Sequence, residues 1–107
     1  VTTGHRITIE ASDRHVRVVH GGRVLAESDG ALLLKETGCP DRYYIPPADV
    51  RLDLLAPSET HTRCPFKGTA SYWSLPDAAD LAWAYPEPKP DVARIKDHLC
   101  FYEVEVG

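Results

Sequence analysis

The sequence predicts a mainly β domain: short antiparallel strands in a compact sandwich- or barrel-like arrangement, with one short helical turn near residues 91–96. Three observations carry that reading. Apolar and polar residues alternate over short runs, the period of a half-buried strand. Turn residues recur roughly every 8–12 positions, the rhythm of an antiparallel sandwich or barrel. Between two β-rich runs lies Gly21-Gly22, which supplies the positive φ angles of a two-residue hairpin loop.

Arg6 to Glu10 alternates, with Ile7 and Ile9 on one face. Val16 to His20 and Arg23 to Glu27 flank the glycine pair as the arms of a hairpin. Ala31 to Glu36 is rich in leucine but spans only about one and a half helical turns; its β-rich neighbours make it a strand. Tyr43-Tyr44-Ile45 is a short strand stopped by Pro46-Pro47, and Val50 to Leu55 reads as another, with Leu52 and Leu54 together and Asp53 opposed. Thr60 to Cys64 and Thr69 to Leu75 form a second hairpin around Cys64-Pro65-Phe66-Lys67-Gly68. There Pro65 presets φ for the second turn position, and Gly68 can take the positive φ that closes the turn. Asp80 to Tyr85 places Trp83 and Tyr85 on one face. Pro86 to Pro90 is extended and polyproline-like, Asp91 to Lys96 is the helical turn, and Leu99 to Val106 is a last strand. No repeat or linker divides the chain, so residues 1–107 read as a single domain.

A chain of 107 residues buries roughly 60–70% of its unfolded surface, enough for one modest core. The net charge is −4 and Lys and Arg are scattered, which argues against nucleic acid as a partner. Apolar runs such as Ala31 to Leu34 fall far short of the ~20 residues of a membrane helix. The opening residues, Val1-Thr2-Thr3-Gly4-His5-Arg6, lack the apolar core of a signal peptide. The expectation is a soluble, cytoplasmic protein without membrane association, monomeric or homodimeric, whose partner is a small molecule. Cys39, Cys64 and Cys100 are widely spaced and odd in number, which speaks for reduced thiols; Cys39 and Cys100 read as small apolar fillers. His5, His15, His20, His61 and His98 show no metal-ligand spacing and read as scattered surface residues, so neither metal nor cofactor is expected.

Chemistry-bearing residues concentrate around the second hairpin. Cys64 is a candidate nucleophile if positive charge favours its thiolate, and a packed core thiol otherwise. Strand alternation turns His61 and Arg63 away from Cys64, leaving Lys67 across the turn as its cation. Cys64 and Lys67 are therefore the candidate catalytic pair. A lysine among rings also suits an anionic ligand group or a cation–π contact. Glu36, ending an apolar strand, is its natural counterpart, as a structural clamp or a proton-handling pair. Tyr44, Tyr72, Trp83 and Tyr85 either fill a small core or line a site for a flat ligand, their polar tips seeking partners. With Glu36 and Lys67 they form the candidate ligand-binding set.

Glu36-Thr37-Gly38, Tyr43-Tyr44-Ile45-Pro46 and Asp49-Val50, then Cys64-Pro65-Phe66-Lys67-Gly68 with Ala70 and Tyr72-Trp73, then Trp83-Ala84-Tyr85-Pro86 and Phe101-Tyr102, together resemble a small, mostly bacterial family. It is catalogued as domain of unknown function 427 and also labelled a nucleotidyltransferase-type family. The resemblance covers nearly the whole chain and implies a compact, mainly antiparallel β fold resembling the β-tent group. The label implies nucleotidyl transfer. Metal-dependent transfer needs clustered carboxylates to hold Mg²⁺, whereas Asp53 stands alone between Leu52 and Leu54 and no glycine-rich phosphate cradle is present. Two functions stay open: a module binding a small anionic or heteroaromatic ligand, and an enzyme, either a nucleotidyltransferase or one using Cys64 covalently.

Overall fold

A computed structural model describes residues 4–107; residues 1–3, part of the opening stretch read above, lie outside the described residues. Ten strands run in the order β1 (Ile7–Ala11), β2 (Val16–His20), β3 (Arg23–Ser28), β4 (Leu32–Glu36), β5 (Arg42–Tyr44), β6 (Ala56–Cys64), β7 (Gly68–Leu75), β8 (Ala78–Ala84), β9 (Cys100–Phe101) and β10 (Glu105–Val106). They form three antiparallel sheets, ordered β1-β4-β5, β10-β2-β3 and β6-β7-β8-β9. The mainly β architecture follows the sequence reading, but the sheets do not join into a closed barrel.

Local chemistry explains the hairpins. Gly21 and Gly22 take φ of 59° and 78°, and His20 pairs with Arg23 across them. In the β6–β7 turn the Lys67 amide donates to the Cys64 carbonyl at 3.3 Å, with Pro65 in the second position, and Gly68 follows at φ 118°. A register break between Pro57 and His61 interrupts β6, and its residues lie mostly in water.

Strand alternation sorts the side chains of β8, and of Tyr85 just after it, into two cores. Ala82 and Ala84 join Val16, Val18, Leu25 and Phe101 in the first, which draws on β2 and β3. Trp83 and Tyr85 join Leu34, Tyr44, Val92 and Cys100 in the second, with Ile7 and Ile9 of β1 packed against them. Consecutive residues of β9 divide the same way, Cys100 to one core and Phe101 to the other.

Two sequence expectations change. Val50 to Leu55 is not a strand: after a bridge from Val50 to Ala26, Leu52–Leu54 is a 3-10 turn. Its alternating pattern is mimicked by the turn, where Arg51 and Asp53 meet in a two-bond pair at 3.0 and 2.9 Å. Leu99 to Val106 is two short strands rather than one, because the chain leaves β8 after Phe101 and crosses to pair with β2. The helical turn is there, as a 3-10 segment over Pro90–Ile95 with Val92 and Ile95 buried.

Candidate functional site

Glu36 is two residues beyond Leu34 on β4, so the period of the strand carries its side chain toward the second core. The side chain is 6% exposed. Its Oε1 accepts a hydrogen bond from Lys67 Nζ at 2.5 Å, and its Oε2 lies 3.3 Å from His5 Nε2. His5 stacks on Phe66 of the turn, with ring centroids 3.8 Å apart and planes 17° from parallel. His5 Nε2 is buried and makes no hydrogen bond of good geometry. The expectation of surface histidines is therefore corrected at His5, which caps the Glu36–Lys67 pair.

Burial works against the charge of Lys67, but the Glu36 bond and charge outweigh it, with the nearby Cys64 thiol adding to them. The ammonium is held above its ordinary range. Cys64 is half-exposed and packs against the second core beside Tyr72, whose hydroxyl pairs with Thr62 Oγ1 at 2.9 Å. Burial, reinforced by the Cys100 thiol for Tyr44 and by the Cys64 thiol for Tyr85, pushes both phenols well above their usual range. Cys100 is a fully buried filler whose thiol is pushed up to about 12, chiefly by burial. Cys39, by contrast, is exposed, which corrects its reading as a filler.

The structure thus brings all seven sequence candidates, Glu36, Tyr44, Cys64, Lys67, Tyr72, Trp83 and Tyr85, to one cluster. Tyr44, Trp83 and Tyr85 are packed into the core rather than spread around an open cavity. Access falls to the rim, which sequence reasoning overlooked. Tyr102 is 59% exposed and its ring centroid lies 4.6 Å from that of Trp83. The Arg42 guanidinium sits 5.3 Å from the Trp83 ring centre and 5.8 Å from that of Tyr102. Among the described residues Arg42 makes no ion pair. The one available signal was its position two residues before Tyr44 on a strand, which places both on the same face.

Chemically, the cluster offers a neutralised buried pair, a thiol beside a cation, and a free guanidinium over two rings. Among the described residues no three His, Cys, Asp or Glu side chains converge as a metal-ligand set. No helix among them is long and apolar enough to cross a membrane. Comparison with curated proteins finds no match. The sequence profile of the NTP_transf_9 family, described as a domain of unknown function (DUF427), matches residues 8–107, and the chain belongs to that family.

Proposed function

We propose that the domain binds a small anionic or heteroaromatic ligand at the rim of the aromatic cluster, beside the Cys64–Gly68 turn. The observation that carries this reading is Arg42, a half-buried guanidinium with no carboxylate partner among the described residues, lying over Trp83 and beside the exposed Tyr102. Lys67 is already matched by Glu36, so the charge of an incoming anion falls to Arg42. A flat ring stacks on Tyr102, while Lys67, Glu36 and Cys64 hold the floor of the site in place.

Nucleotides, sugar phosphates and small carboxylates screened by thermal shift test this reading. A ligand that binds only the folded state raises the melting temperature and, stacked near Trp83, quenches its fluorescence. Arg42→Ala weakens that ligand by about 1.5–3 kcal/mol, the range of a hydrogen bond to a charged group. If no compound shifts the melt, or Arg42→Ala leaves affinity unchanged, the reading fails. A second reading, covalent chemistry at Cys64 within an enzyme, is favoured by the adjacent Lys67 ammonium. Turnover abolished by Cys64→Ser, in place of saturable binding alone, would select it.

A further inference from the structure

The β6–β7 hairpin has two faces, and the aromatic cluster occupies one. Cys64, Ala70 and Tyr72 point into it. His61, Arg63, Thr69 and Ser71 lie on the other, as the period of two requires. His61 pairs directly with Ser71 and Arg63 with Thr69, so two successive cross-strand pairs form one polar patch. His61 Nδ1 and Ser71 Oγ are 3.4 Å apart.

The segment after β8 turns this patch into a groove. The Lys89 amide donates to the Lys67 carbonyl at 3.0 Å, tying the proline-rich stretch to the turn. A Cβ placed on Gly68 would stand 3.1 Å from the Glu87 carbonyl oxygen, so glycine is what lets the segment come this close. The result is a cavity of about 410 Å³ walled by the hairpin on one side and by Pro86, Glu87 and Lys89 on the other.

Its donors are concentrated, and the Ser71–His61 contact engages only one of its hydroxyls. Neither Arg63 nor Lys89 makes an ion pair among the described residues. In a chain of net charge −4, two free cations, two hydroxyls and an imidazole line this one groove. Glu87 is the single carboxylate there.

We infer that this groove binds the phosphate of a small phosphate monoester whose alcohol part carries free hydroxyls. Arg63 offers a planar fork of donors to two phosphate oxygens, Lys89 supplies a second charge, and Thr69 and Ser71 supply neutral donors. Glu87 can only accept, so it faces the hydroxyls of the alcohol part and not the phosphate. The volume lies within the ~300–1,000 Å³ range of small-molecule sites. A long polyanion is not the match, because the charge is confined to one groove on an acidic domain. This site is separate from the Arg42 rim and stands or falls independently of it.

Glycerol 3-phosphate, titrated while backbone amide resonances are followed by NMR, tests the inference. Saturable shifts are expected at Arg63, Thr69, Ser71 and Lys89, and none with glycerol. Arg63→Ala weakens binding about ten- to a hundredfold and Lys89→Ala about tenfold or more, as expected for lost charge-assisted bonds. Both side chains are exposed, so the dispersed spectrum of the free protein is retained. Glu87→Gln brings the affinity for glycerol 3-phosphate toward that for inorganic phosphate, whereas Lys35→Ala, at an exposed cation on another sheet, leaves it unchanged. Unsaturable shifts, binding that survives the Arg63→Ala/Lys89→Ala double variant, or an equal loss on Lys35→Ala would each overturn the inference.

Discussion

The Lys67 ammonium meets the Glu36 carboxylate at 2.5 Å, joining the β6–β7 turn to the end of β4 across 31 residues of sequence. The two side chains are 11% and 6% exposed, whereas the pairs Arg17–Glu105, Lys35–Glu10 and Arg51–Asp53 stand largely in water. Exposed pairs contribute little to stability. A pair withdrawn from water is different, because removing one partner strands the other charge in the interior.

Glu36→Gln is therefore expected to destabilise the fold by about 3 kcal/mol, read from urea unfolding. Glu36→Gln combined with Lys67→Met, which removes the stranded charge, recovers most of that loss. A Glu36→Gln variant as stable as the parent would show that the pair contributes nothing.

The three cysteines should differ in reactivity toward iodoacetamide at neutral pH. Exposed Cys39 reacts in the folded protein. Cys100, buried and with its thiol pushed up to about 12, reacts only on unfolding. Cys64 reacts while folded, and Lys67→Met slows it by removing the adjacent positive charge. Labelling followed by peptide mass analysis separates the three, and a Cys64 protected until unfolding would mark it as packing alone.

Gly68→Ala should destabilise by about 1–3 kcal/mol, since φ of 118° is strained for any residue with a Cβ and the new methyl meets the Glu87 carbonyl. Thermal unfolding measures the loss. An unchanged melt would mean that the proline-rich segment yields freely.

A pH dependence follows from His15. Its Nδ1 lies 2.7 Å from Asp29 and its Nε2 2.7 Å from Glu27, so both ring nitrogens must carry protons to donate. Hydrogen bonding to Asp29 and then to Glu27 raises its pKa. A raised folded-state value contributes stability fully below the ordinary ~6.5, lost as pH climbs through the raised value. The difference in melting temperature between the parent and His15→Gln should thus shrink as pH rises from 6 upward. A constant difference would remove His15 as the cause.

Local signals carried much of the architecture. Gly21-Gly22, the Cys64–Gly68 turn and the Pro90–Ile95 turn are each encoded within a few residues by glycine or proline. Strand parity also sufficed to put Trp83 and Tyr85 together, and charge matching to pair Glu36 with Lys67. His5 was illegible because its neighbour is set by a distant register: Ile7 pairs with Glu36, which brings the residues just before β1 alongside the carboxylate. Arg42 escaped for a similar reason, since its rings come from β8 and from the chain beyond β9. At Val50 to Leu55 the alternation was real, but a side-chain pair and local backbone bonds used it to make a turn.

The division of β8 between two interiors makes its frame self-correcting. Slipping that strand by one position would drive the Trp83 indole and the Tyr85 phenol into room shaped around the methyl groups of Ala82 and Ala84, and would leave voids where the rings had been. Misaligned pairings of this strand are thus penalised on both sides at once. Alternating large and small residues along one central strand act as a vernier for the assembly of the whole domain.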